Sequence, residues 1–260
     1  MVDLVKMKSA LTVAGLDPCG GAGIAADLKV FRSLNVHGMA VASSLTAQNT
    51  LAVAGVYGVD GAIFERQLTV LLDDIIPDAL KTGVLCNAEL VAILVGMINK
   101  YNLKNLVVDP VAVSSSGKEM LDVEAVAVIK RDLLPLTKVF TPNIFEAALF
   151  CGSTVETEAD IMEVTKSLHA MGCAAVVITG GHLRHAAADT YYDGTNFIKI
   201  ETPLYDGSYH GTGCVFSAAI AANLALGHNC PDAVKMAKKT VEAAIKGAYR
   251  IGKGMRVLRA

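Results

Sequence analysis

The 260-residue chain carries a net charge of −2, and 53% of its residues are hydrophobic. That balance excludes a polybasic nucleic-acid binder. It also excludes a membrane span, because the longest uncharged apolar run, Val215 to Leu226, is too short and contains Ser217 and Asn223. The expectation is a soluble, cytoplasmic protein with a large core, built as one domain over residues 1–260. The charge is uneven: from Pro231 onward eight Lys and Arg stand against Asp232 and Glu242, net +6, which leaves −8 for the rest. Such a tail reads as a solvated helix face or as a positive field near bound phosphates. Six cysteines, at 19, 86, 151, 173, 214 and 230, form no Cys-x-x-Cys pair, which argues against a disulfide framework or a structural zinc site.

Ala10 to Ala14 is a short apolar strand. The loop Leu16-Asp17-Pro18-Cys19-Gly20-Gly21-Ala22-Gly23 follows it, and then a helical pattern from Ile24 to Leu34. Gly21-Ala22-Gly23-Ile24-Ala25-Ala26 imitates the dinucleotide-binding fingerprint. That fingerprint requires an acid about 20 residues on for the ribose. None occurs between Asp27 and Asp60, so the reading is rejected. Asp17 and Asp27 remain as carboxylates on the loop and on the helix behind it, and each also reads as a turn or helix-start acid.

Met39 to Leu45 reads as a second strand leading to Thr46-Ala47-Gln48-Asn49-Thr50, where Gln48 offers donors and an acceptor to a heterocycle edge or to solvent. A strand over Val53–Val59, a helix over Ile63–Ile76, a strand over Ala79–Leu85 and a helix over Ala88–Tyr101 come next. Asn105-Leu106-Val107-Val108-Asp109-Pro110 is a buried parallel strand with Asp109 at its carboxyl end, where ligands of open α/β sheets gather. A small polar loop, Ser114 to Gly117, precedes a helix over Glu124–Asp132. The strand ending Thr141-Pro142-Asn143 runs into a short helix carrying Glu146. Three residues apart, Asn143 and Glu146 share a face and fit either a hydrated Mg²⁺ or a capping box.

A helix over Ala159–Met171, a strand over Ala174–Thr179, Gly180-Gly181-His182 and a hairpin around Asp193-Gly194 follow. Then Tyr209-His210-Gly211-Thr212-Gly213-Cys214 enters a long run of small apolar residues. This reads as a glycine loop at the N-terminus of a buried helix, an anion-holding end whose field favours a Cys214 thiolate. The bland reading is a turn before a core helix, with Cys214 as a small hydrophobe. The grammar of strand, polar loop and helix predicts one mostly parallel sheet with helices on both faces and site residues at strand ends.

These motifs, in this order, resemble the hydroxymethylpyrimidine/phosphomethylpyrimidine kinases of the ribokinase-like superfamily. The resemblance runs from Ala14-Gly15-Leu16-Asp17-Pro18 with Asp27, through Thr46 to Thr50, Asp109-Pro110-Val111, Thr141-Pro142-Asn143-x-x-Glu146 and Gly180-Gly181-His182, to Gly211-Thr212-Gly213-Cys214, and covers Ser9 to Ile251. It implies a three-layer sandwich that phosphorylates 4-amino-5-hydroxymethyl-2-methylpyrimidine, and then its monophosphate, with ATP and Mg²⁺, in thiamine synthesis. It further implies substrate contacts from Gly15, Asp27, Gln48 and Val84, phosphate contacts from Asn143, Thr179 and Gly181, and Mg²⁺ near Asp109 and Glu146. An anion hole at Gly211, Thr212 and Gly213 with Cys214 as base, and a homodimer, are implied likewise. Thr179 stands where family members often carry Lys, and Val84 where many have Met. Two other readings stay open: a pyridoxal or pyridoxine kinase of the same family, and a non-catalytic pyrimidine sensor.

Overall fold

The computed structural model describes residues 7–114, 117–180 and 187–260. Its strands are β1 (Ser9–Leu16), β2 (His37–Gln48), β3 (Val53–Gly58), β4 (Ala79–Thr82), β5 (Leu106–Val108), β6 (Val139–Phe140), β7 (Val176–Thr179), β8 (Ala187–Tyr192), β9 (Phe197–Thr202), β10 (Tyr209–His210) and β11 (Arg256–Val257). The α-helices are α1 (Gly23–Ser33), α2 (Gly61–Leu72), α3 (Ala88–Tyr101), α4 (Val123–Val128), α5 (Ile144–Cys151), α6 (Glu158–Ala170), α7 (Thr212–Ala225) and α8 (Cys230–Lys246).

Nine strands form one sheet in the order β3-β2-β1-β4-β5-β6-β7-β8-β9. The six from β2 to β7 are mutually parallel, and β3, β8 and β9 add antiparallel edges. The short central strands are apolar throughout, as a sheet covered on both faces demands. One core lies between the sheet and α2 to α6, with Phe64, Leu94, Phe140 and Phe150 among its members. The other holds Phe31, Val107, Val215 and Ile220 against α1, α7 and α8. This is the three-layer arrangement that the strand-loop-helix grammar predicts. From Val215 to Ala225 every residue of α7 is buried, because small side chains let it pack on the sheet, α1 and α8 together.

Two helices differ from the sequence reading. The segment read as a helix over Glu124–Asp132 is α-helical only to Val128, then turns through π geometry (Ile129–Leu133) and 3-10 geometry (Leu134–Leu136). Pro135 explains the change, since it donates no N–H and crowds the preceding turn. α2 spans Gly61–Leu72 rather than Ile63–Ile76, and its early start follows from Asp60, which caps it by accepting from the amides of Ala62 and Ile63. Among the described residues, no helix is long and apolar enough to cross a membrane.

Candidate active site

In chain order the parallel strands run outward from β1 in both directions, to β2 on one side and β4 on the other. That reversal opens a crevice at the carboxyl ends of β1 and β4, where doubly wound sheets bind ligands. The loops that meet there are the ones the sequence singles out. Gly15 sits where a side chain would collide with Ser44 Oγ, and Val84 Cβ lies 3.8 Å from the position its own Cβ would take. Gly211 has φ +89°, and a Cβ there would lie 1.9 Å from the carbonyl oxygen of Gly21, so the two glycine loops touch backbone to backbone. The amide of Gly23 points at Cys214 Sγ, 3.4 Å away.

Beneath this contact lies a buried charge cluster. Lys81 and Asp27 have no exposed surface, and Lys81 Nζ is 2.8 Å from Asp27 Oδ2, which also accepts from Thr12 Oγ1 at 2.6 Å. Burial alone would strip Lys81 of its proton, but the nearby anionic groups, Asp27 first, hold its pKa above the usual lysine value. Burial pushes the Asp27 carboxyl up, and Lys81 pulls it back. Asp27, expected at the substrate, engages Lys81 and Thr12 through Oδ2 in the floor of the crevice. Its Oδ1 is buried and has no partner among the described residues.

Asp109 stands just beyond β5, where Ser217 Oγ lies 2.9 Å from its Oδ2. A Cβ on Gly213 would come within 3.9 Å of the same oxygen, so Asp109 borders the glycine turn. Asn143 and Glu146 form both arms of a capping box at the start of α5. The second oxygen of Glu146 accepts from the amide of Ala112 at 2.9 Å, tying α5 to the loop after β5. Burial and the charge of Asp109 push the Glu146 carboxyl up to about 8. Thr179 bridges to Asn143 across the ends of β7 and β6. Gly181 and His182, and Ser115 and Ser116 of the polar loop, lie outside the described residues.

The thiolate expected at Cys214 is corrected. The residue keeps some exposed surface, yet burial of its thiol, aided by the anions of Asp109 and Asp27, outweighs Lys81 and the Gly23 amide and pushes it up to about 12. Gln48, at the end of β2, has its Nε2 3.0 Å from His210 Nε2, which in turn lies 2.8 Å from Asp17 Oδ2, and its Oε1 accepts from Thr46 Oγ1 at 3.2 Å.

Lys81, Ser217 and His210 were not among the candidates. Lys81 had a legible signal, a lone lysine in the buried strand Ala79-Leu80-Lys81-Thr82. The tail's positive charge is partly internal: Lys238 pairs with Asp189 at 2.6 Å, and Asp189 accepts the amide of Gly180 at 3.1 Å.

A family model described as phosphomethylpyrimidine kinase matches residues 17–259. The chain belongs to that family. It is 38% identical over 248 residues to the hydroxymethylpyrimidine/phosphomethylpyrimidine kinase of Bacillus subtilis, covering 94% of this chain and 92% of the relative. It is 40% identical over 251 residues to the pyridoxine kinase of the same organism, covering 94% and 93%. The thiamine biosynthesis bifunctional protein ThiED of Geobacter sulfurreducens is 40% identical over 248 residues; there the match takes 95% of this chain but 51% of the relative, so the chain spans about half of that protein. Among solved structures, the ADP complex of Bacillus subtilis pyridoxal kinase matches with a TM-score of 0.90 at 37% identity, covering 97% of each chain. The phosphomethylpyrimidine kinase of Clostridium difficile 630 matches with 0.81 at 36% identity, covering 92% of this chain and 99% of the other. The family is one of phosphotransferases, and the chain shares its ribokinase-like fold.

Proposed function

We propose that the chain transfers a phosphoryl group from ATP to the hydroxymethyl group of 4-amino-5-hydroxymethyl-2-methylpyrimidine, and then to the resulting monophosphate, for thiamine synthesis. The observation that carries this reading is the meeting of two glycine loops at the β1–β4 crevice, with the N-terminus of α7 beside Asp109 and above the Lys81–Asp27 pair. Phosphoryl transfer needs alignment and charge neutralisation more than covalent chemistry. The amides at Gly211 to Cys214 face the reacting phosphate in this reading, and Lys81 adds positive charge below them. Gly15 and Val84 line the acceptor ring, Gln48 pairs with its edge, and the unpartnered Oδ1 of Asp27 accepts from the exocyclic amine. Asn143, Thr179 and Gly181 attend the nucleotide phosphates.

Asp109 and Glu146 suit a hydrated Mg²⁺. Burial first, and then the charge of Asp109, lifts Glu146, and Glu146 already accepts two amides, which leaves it to act on an ion that keeps its waters. When bound, Mg²⁺ neutralises phosphate charge. Cys214 is the base in this reading, and its thiol must lose its own proton before it takes the one from the acceptor hydroxyl. Turnover therefore rises with pH into the alkaline range.

A second reading, pyridoxal phosphorylation, is favoured by the pyridoxine kinase relative and by the pyridoxal kinase structures. Comparing kcat/KM on the two alcohols separates them. The aminopyrimidine is expected to be preferred, and a higher kcat/KM on pyridoxal would overturn the assignment.

A further inference from the structure

The loop after β1 and the strand before α7 bring together three side chains of different chemistry. Asp17 and His210 are buried, and Cys19 is half-buried at the rim. His210 Nε2 is 2.8 Å and Cys19 Sγ 3.2 Å from Asp17 Oδ2, and one donor atom from each of the three residues lies within 4.8 Å of the others. The geometry is fixed by backbone. Asp17 accepts from the amides of Cys19, Gly21 and Ala22 at 2.9 to 3.1 Å, and Gly21 lets the imidazole lie directly on the loop, since a Cβ there would come within 2.4 Å of His210 Cδ2.

With the Gln48 amide as oriented here, no position of the proton on His210 satisfies both of its neighbours. If Nε2 carries it, the Asp17 carboxylate is satisfied, but the amide nitrogen of Gln48, 3.0 Å away, meets a second donor. If Nδ1 carries it, Gln48 is satisfied, but two lone pairs face each other across 2.8 Å between Nε2 and Asp17. Nδ1 is itself buried and has no partner among the described residues, so nothing behind the ring selects a tautomer. Turning the Gln48 amide gives up the 3.2 Å contact that its oxygen accepts from Thr46 Oγ1 and brings that oxygen to the position 3.0 Å from Nε2, where it can accept from an Nε2–H or face a cation. Four donor groups then converge: a carboxylate, a sulfur, an imidazole nitrogen and an amide oxygen.

We propose that Asp17, Cys19 and His210, joined by the amide oxygen of Gln48, bind a borderline divalent cation of the zinc type. Nitrogen, sulfur and oxygen donors together select such an ion over Mg²⁺, which takes oxygen ligands at near-octahedral geometry. Bonds of roughly 2.0 Å to nitrogen and oxygen and roughly 2.3 Å to sulfur place tetrahedral ligand atoms a little over 3 Å apart, close to the 2.8 and 3.2 Å found here. On binding, the S–H bond of Cys19 breaks and its proton goes to solvent, the imidazole proton of His210 resides on Nδ1 so that the Nε2 lone pair is free, and metal–sulfur and metal–nitrogen bonds form. The thiol is held up at about 11 by burial and by Asp17, so the ion competes against a firmly held proton. The half-buried thiol gives the entry path. These ligands lie far apart in sequence, 19 and 210, with no Cys-x-x-Cys signature to announce them. The site differs in donor chemistry from the Asp109–Glu146 locus. On the reading of Gln48 as an acceptor contact, occupation withdraws that amide and inhibits the kinase.

The test is titration of the full chain with Co²⁺ in the presence of millimolar Mg²⁺, followed by absorption spectroscopy, with Zn²⁺ as competitor. The expected result is one Co²⁺ per chain with a thiolate charge-transfer band and tetrahedral d–d intensity, both lost on adding Zn²⁺. Cys19→Ser keeps a hydroxyl beside Asp17 and should remain folded by circular dichroism. It should lose the charge-transfer band and bind Zn²⁺ at least about 10-fold more weakly, since even outer partners of a ligand are worth that much. His210→Gln should retain the thiol and lose the tetrahedral d–d pattern. Absence of the band in the wild-type chain, or its survival unchanged in Cys19→Ser because another cysteine binds, would overturn the proposal. The readout is spectroscopic, so it stands or falls separately from the kinase assignment.

Discussion

Removing Lys81 tests the buried floor of the site. Its ammonium and the Asp27 carboxylate are both fully buried and 2.8 Å apart. With an effective dielectric constant of about 20, the attraction is roughly 6 kcal/mol, most of it offset by desolvation of the two charges. The pair as a whole therefore adds little to stability, but breaking it leaves a buried charge without a partner, at a cost of about 3–5 kcal/mol. Lys81→Met is expected to destabilise the chain by that amount. At about 2–4 °C per kcal/mol for a chain approaching this size, the melting temperature should fall by roughly 6–20 °C. Lys81→Met/Asp27→Leu should recover most of the loss, short of about 1 kcal/mol for the Thr12 hydroxyl that Asp27 Oδ2 now accepts. Urea unfolding of wild type, both single variants and the double variant gives the coupling energy directly. A loss below about 1 kcal/mol in Lys81→Met, or strictly additive single effects, would refute the account of a paired buried charge.

Cys214→Ala is expected to lower kcat by about 10²-fold with little change in KM and to flatten the alkaline rise of kcat; wild-type turnover with an unchanged pH profile would leave the amides as the main contributors. Gly211→Ala forces a Cβ to within 1.9 Å of the Gly21 carbonyl at φ +89°, so it should destabilise the chain by at least about 2 kcal/mol and reduce kcat/KM by two orders of magnitude. A well-folded, active Gly211→Ala enzyme would contradict the tight contact of the two loops. Glu146 has its carboxyl raised from 4.5 to about 8 in the folded chain, so between those values the folded state holds the extra proton and stability falls as pH rises, by up to a few kcal/mol. Melting with EDTA from pH 5 to pH 8 should show that fall in wild type and not in Glu146→Gln, and equal slopes would contradict the assignment.

The alternation of strand, loop and helix was legible because the period-2 and period-3.6 apolar patterns are local. So were the glycine turn before α7 and the position of Asp109 at the end of β5. The departures arose where a single residue overrode the pattern: Pro135 unwinding the end of α4, and Asp60 starting α2 early. The site was harder to read, because charge pairing joins distant segments. Asp27 carries no mark in sequence that it meets Lys81, 54 residues on, and His210 none that it lies on Asp17. The state of the Cys214 thiol is hidden from the sequence for a related reason. A helix N-terminus is visible in sequence, whereas desolvation and the neighbouring Asp109 and Asp27 charges appear only in three dimensions. The alternatives for Asn143 and Glu146 narrowed instead: the capping box is present in full, and what Glu146 adds is its buried closeness to Asp109.

The most direct measurement is incubation of the chain with ATP, Mg²⁺ and the aminopyrimidine alcohol, with nucleotide and pyrimidine products resolved over time. The expected result is ADP formation dependent on the pyrimidine, with the monophosphate appearing first and the pyrophosphate following from it. No ATP consumption above the pyrimidine-free control, with the pyrimidine bound but unchanged, would contradict it and leave a binding protein in place of a kinase.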